Sequence, residues 1–156
     1  QREAVFASLS CIDNILVAVE QTLGVRGKEA ERLADEASDL VGFPKNFHNM
    51  PAVTMPVFYQ KQLMLATAVA QKPKLLLLDE PASSLVENEV EWVRDTILNL
   101  NETGITILLI EHVLPLLMAV SRRLLVMEQG SVIALGNPAE VTRDKRVIEA
   151  YLGQPV

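Results

Sequence analysis

The heptapeptide LLLLDEP, residues 75–81, decides how this chain folds. Four consecutive leucines closed by two acids and a proline have the length and flanks of a strand buried in a parallel sheet. A second run of the same kind, ITILLIEH at residues 105–112, ends in Glu111 and His112. Between the two, Val86, Val90, Val93, Ile97 and Leu100 recur at spacings of four and three, an amphipathic helix closed by Gly104. Strand, helix and strand in this order predict an α/β fold with a parallel sheet. Polar groups at the carboxyl ends of such strands lie where open α/β sheets bind ligands.

Upstream the pattern is helical. Ser10 and Asp13 resemble a capping box, and Ile12, Ile15, Leu16, Val19 and Leu23 follow at helical spacing up to Gly24. A second helix is expected from Lys28 to Val41, with Leu33, Ala34, Ala37, Leu40 and Val41 on its apolar stripe and Gly42 at its end. Residues 43–55 read as a loop in which His48, beside Asn46 and Asn49, is exposed. Pro56 suits the first turn of a third helix running to about Ala70. Downstream, a short helix leads to two apolar runs, residues 124–127 and 132–135, joined at Gly130 as a hairpin, and helical turns from Pro138 to Leu152 close the chain. The expected organisation is one domain over residues 1–156, with a helical subdomain at 8–71 and an α/β core at 72–156.

Composition bounds the chemistry. The 156 residues carry 14 Lys plus Arg against 20 Asp plus Glu, a formal charge of −6, and 49% hydrophobic residues, enough for a real core. An acidic chain with no basic run longer than a pair such as Arg122–Arg123 argues against a nucleic-acid partner, since phosphate neutralisation needs massed cations. The single cysteine, Cys11, has no internal disulfide partner, which suits a reducing, cytoplasmic setting. The apolar stretch at 105–127 is broken by Glu111, His112, Pro115, Arg122 and Arg123 and does not read as a membrane span. Gln1 rather than Met at the first position reads as a cut edge.

Two sites could carry chemistry. Asp79 could hold Mg²⁺ through water, and Glu80 could orient or deprotonate an attacking water. The bland alternative is that both acids cap the following turn. His112 could donate a hydrogen bond to a phosphate oxygen, although a histidine after an apolar strand often serves only packing.

LLLLDEP, Ser84–Leu85, ITILLIEH, LLVMEQGSVIALGNPAEV and VIEAYLG together resemble the nucleotide-binding domain of ATP-binding cassette transporters, and the tail is most similar to the branched-chain amino acid importer subgroup. The resemblance covers the whole chain and implies a P-loop NTPase core beside a helical subdomain. It implies that Asp79 is the Walker B aspartate, Glu80 the catalytic glutamate and His112 the switch histidine. Gln1 falls on the Q-loop glutamine, placing it with Asp79 as a ligand of ATP-bound Mg²⁺. Implied partners are a membrane permease gripped by the helical subdomain and a second ATPase subunit, in a homodimer or a mixed pair, at the inner face of the plasma membrane.

The departures are as informative. No GxxxxGK followed by Ser or Thr occurs in the sequence; the nearest stretch, GVRGK at 24–28, is too short. The signature window reads Met55, Pro56, Val57, Phe58 and Tyr59, with a proline lacking an N–H and two bulky side chains where the family has glycines. Val86 stands where the D-loop has aspartate. Two readings follow: an ATPase subunit or fragment that powers an importer, inactive alone, or a degenerate module that docks on a permease or partner subunit. A generic Mg²⁺-dependent α/β hydrolase accounts for the acids only by treating the C-terminal matches as chance.

Overall fold

The computed structural model describes residues 5–152. They divide into two compact units, the division falling between Ile110 and Glu111.

The first unit opens with three helices, α1 (Cys11–Leu23), α2 (Lys28–Val41) and α3 (Val57–Ala70). Ser10 caps α1 by accepting from the Asp13 N–H at 3.1 Å, and Gly24 closes it in the left-handed conformation. The Asp13 carboxylate accepts from the Ser10 hydroxyl, so the pair is a variant of the expected box. Pro56 sits just outside α3, as its cap, rather than in its first turn. Ile15, Val19, Leu33, Ala34, Val41, Leu63 and Ala66 form the buried seam between the helices, joined by Leu76 and Leu100 from the α/β part.

Residues 43–55 contain two short 3₁₀ turns, Lys45–Phe47 and Ala52–Thr54. His48 is not exposed as the sequence suggested: its side chain is 12% accessible. Its Nε2 lies 2.8 Å from the Ser38 Oγ of α2, and its ring stacks on Phe43 with centroids 6.0 Å apart. Ser38 lies ten residues away on α2 and Phe43 at the start of the same 43–55 segment, a convergence that local composition does not reveal.

Strand β1 (Leu75–Asp79) pairs in parallel with β2 (Thr106–Ile110), connected by α4 (Glu87–Glu102). The register sets Leu77 opposite Leu108 and Asp79 opposite Ile110. Leu76, Leu78 and Ile107 pack on the helical core. The strands are not buried on both faces, however: Leu75, Leu77, Leu108 and Ile110 are exposed, and no described element covers them. A continuous apolar run marks a strand fit for two covered faces but cannot say which are covered.

The second unit comprises α5 (Leu114–Val120), the hairpin of β3 (Leu124–Glu128) and β4 (Ser131–Gly136), then α6 (Pro138–Val141) and α7 (Lys145–Leu152). Gln129 and Gly130 both have positive φ, 47° and 81°, as a two-residue primed turn requires. Leu124, Ala134, Val141 and Val147 form its small core. No described helix is long and apolar enough to cross a membrane.

Candidate functional site

The site is built at the carboxyl end of β1. Asp79 is the last residue of the strand and is exposed; Glu80 follows with φ +47°, a left-handed conformation that costs a residue bearing a Cβ about 1–2 kcal/mol. That turn swings the chain out of the sheet between two adjacent carboxylates. Three sets of hydrogen bonds hold it. The Glu80 N–H donates to the Ile110 carbonyl at 2.8 Å, extending the β1–β2 ladder by one residue. The Ser83 N–H donates to the Glu80 carbonyl at 3.1 Å, closing a tight turn. Finally Lys61, from α3, donates through Nζ to the carbonyls of Glu80 (3.3 Å) and Pro81 (3.0 Å) and to the Ser83 Oγ (3.1 Å). Nothing local in the sequence points to Lys61, since its partners lie 19 to 22 residues away.

The predicted signature window lies at the start of the same helix. Met55 is buried, Pro56 occupies the cap position with no side-chain acceptor, and Val57 is exposed. Phe58 sets its ring edge-on to Trp92 of α4 at 5.3 Å, and Tyr59 packs edge-on to Phe47 at 4.6 Å. Trp92 in turn donates its indole N–H to the Val41 carbonyl at the end of α2, at 3.0 Å. Phe58, one of the two bulky side chains at the glycine positions, and its neighbour Tyr59 are therefore built into an aromatic chain linking α2, the 43–55 loop, α3 and α4, whereas Val57 is exposed. Val86 precedes α4 and has no side-chain acceptor; the Glu89 carboxylate accepts from its N–H at 3.0 Å, so this position keeps half of a capping box.

His112 belongs to the second unit. Its side chain is 64% accessible, whereas that of Glu111 is fully buried. The Glu111 carboxylate accepts from the N–H groups of His112 (2.9 Å) and Val113 (3.1 Å), a cap ahead of α5. The Tyr151 hydroxyl of α7 donates to the His112 carbonyl. Gln1, the remaining predicted residue, lies outside the described residues.

The donor chemistry fits part of an Mg·ATP site. An exposed aspartate ending a strand suits Mg²⁺, which takes one or two carboxylates and fills its sphere with water and phosphate oxygens. Among the described residues no three His, Cys, Asp or Glu gather into a metal cage, so phosphate and water would supply the rest of the sphere. Glu80, next in the chain, has the carboxylate for orienting a water. The phosphate cradle itself has no counterpart in the sequence.

Residues 131–156 match the family model described as Branched-chain amino acid ATP-binding cassette transporter. The chain is 33% identical over 168 aligned positions to the high-affinity branched-chain amino acid transport ATP-binding protein LivG of Salmonella typhimurium, covering 99% of this chain and 66% of the relative. It is 30% identical to BraF of Pseudomonas aeruginosa, a protein of the same description, with the same coverage. The chain thus spans slightly less than two thirds of these relatives. Among solved structures it is similar to cbiO1 from Clostridium perfringens, part of an ABC transporter complex, with a TM-score of 0.80 at 26% identity, over 94% of this chain and 57% of the other. A nucleotide-free ATP-binding cassette, 21% identical, has the same fold with a TM-score of 0.81, over 95% of this chain and 64% of its own length.

Proposed function

We propose that this chain, which belongs to the nucleotide-binding domains of ATP-binding cassette transporters in the branched-chain amino acid subgroup, forms the Walker B, signature and switch-histidine portion of an importer ATPase whose phosphate cradle another segment supplies. Asp79 would hold Mg²⁺ through water, Glu80 would orient the attacking water, and His112 would donate to the terminal phosphate. Gln1 would join Asp79 at the metal. ATP hydrolysis in the complete assembly would energise amino acid uptake through a permease at the cytoplasmic face of the membrane. The observation that carries this reading is the carboxylate pair at the end of β1, with Glu80 turned out of the sheet at φ +47° and tied on both sides of its peptide.

Alone, the chain offers a polyanion two carboxylates and no cradle, so repulsion wins. Calorimetric titration with Mg·ATP should give millimolar or undetectable binding; a micromolar dissociation constant, about −8 kcal/mol, would contradict this. When a Walker A-bearing polypeptide is supplied, Glu80→Gln should abolish hydrolysis and retain nucleotide binding, and His112→Ala should slow turnover. Equal hydrolysis by wild type and Glu80→Gln would assign the pair to structure instead.

A second reading, a docking module without turnover, is favoured by Phe58, whose ring packs on Trp92 from one of the two positions where the family has glycines that bring backbone close to nucleotide. Retention of a cognate permease by the chain irrespective of ATP, with no turnover in the complemented pair, would select it.

A further inference from the structure

We infer that Lys61 is a positioning residue for Glu80, coupling the start of α3 to the carboxylate-bearing turn; this rests on the reading of Asp79 and Glu80 as metal- and water-facing groups. The argument begins with the turn. Glu80 holds a left-handed φ of +47° although it carries a side chain, and such a conformation persists only where its surroundings determine it. One end is fixed by the ladder, through the Glu80 N–H and the Ile110 carbonyl. The other, the Glu80 carbonyl, accepts from the Ser83 N–H at 3.1 Å and from the Lys61 ammonium at 3.3 Å, and the same ammonium also reaches the Pro81 carbonyl (3.0 Å) and the Ser83 hydroxyl (3.1 Å), binding both sides of the turn to α3.

Charge-assisted bonds of this kind are roughly twice as strong as neutral ones, and these sit in a half-buried setting. Lys61 stands two residues beyond Tyr59 on the same helix, so a shift of the α3 start that moves the ammonium also loosens the peptide that aims the Glu80 carboxylate. The altered signature window and the carboxylate turn are thereby mechanically joined within one compact unit.

The test uses the isotopically labelled 156-residue chain as wild type, Lys61→Met and Lys61→Arg. Hydrogen exchange at the Glu80 amide should quicken about tenfold in Lys61→Met and return to within about threefold of wild type in Lys61→Arg, while the Leu76 and Leu78 amides keep their rates. With Mn²⁺ as the probe, broadening of the Glu80 Cδ resonance should be present in wild type and Lys61→Arg and at least about twofold weaker in Lys61→Met. Unchanged Glu80 exchange in Lys61→Met overturns the proposal. So does lost protection throughout β1 that Lys61→Arg fails to restore, which would make Lys61 a general packing residue. Full Mn²⁺ broadening in Lys61→Met also overturns it. An Asp79→Asn chain that takes up Mn²⁺ as wild type does would instead remove the metal reading, leaving the exchange result to decide the clamp by itself.

Discussion

Glu80 separates what a backbone needs from what a carboxylate does. A left-handed φ is tolerated by glycine without a Cβ penalty, so Glu80→Gly should be more stable than Glu80→Ala by about 1 kcal/mol, read as a difference in urea midpoint at equal slope. Equal stability would mean the turn relaxes when the side chain is removed. Cys11 gives a second residue-scale prediction. It is fully buried at the start of α1, and burial pushes its thiol up from the ordinary range. The folded chain therefore holds the proton more tightly than the unfolded one, and stability falls as pH rises from about 8.5 towards the raised folded value. Iodoacetamide at neutral pH should leave Cys11 unmodified until denaturant is added; prompt alkylation of the native chain would contradict this burial. At this scale the sequence was informative where chemistry and chain order coincide. Asp79 and Glu80 are legible because a leucine run delivers them together, whereas Lys61 and His48 are not, since their partners come from other turns of the chain.

The elements show the same division between local signal and assembled contact. Helix limits follow from capping chemistry, and α1 and α2 stop at Gly24 and Gly42 because glycine accepts the left-handed closing residue. Replacing Ser10 by Ala should therefore cost about 1 kcal/mol of stability. The window at the start of α3 was legible as a departure from the family pattern, but its packing was not. Restoring glycines there, as Val57→Gly with Phe58→Gly, removes a ring from the Trp92 contact and places two poor helix formers in the first turn. The double variant should lose about 3–5 kcal/mol in urea unfolding, from the truncated aromatic and the glycines together. A loss below about 1 kcal/mol would show that the Phe58 ring contributes nothing and that the aromatic chain is incidental.

At the largest scale, both strand pairs carry apolar side chains on a face that no described element covers. In the first unit Leu75, Leu77, Leu108 and Ile110 are 53, 64, 58 and 61% accessible, and in the hairpin Leu125, Met127, Val132 and Leu135 are 47, 59, 56 and 52% accessible. Neither fact could be read from the runs themselves, which have the same composition whether one face is covered or two. Contiguous apolar patches beyond roughly a few hundred Å² are rare on monomeric proteins, so such surfaces favour association. The first-unit face is bordered by Asp79 and made of like side chains, and a second copy of the chain offers it a matching apolar partner. Sedimentation velocity should accordingly show the average mass rising with protein concentration. Leu77 and Leu108 are register partners, so Leu77→Lys with Leu108→Glu places opposite charges across the strands and need not disturb the pairing. That variant should return to monomer, bind less of a hydrophobic dye and keep its circular dichroism. A wild-type chain that stays monomeric at all concentrations would contradict the argument. Reversal by Leu125→Lys with Leu135→Glu instead would move the contact to the hairpin.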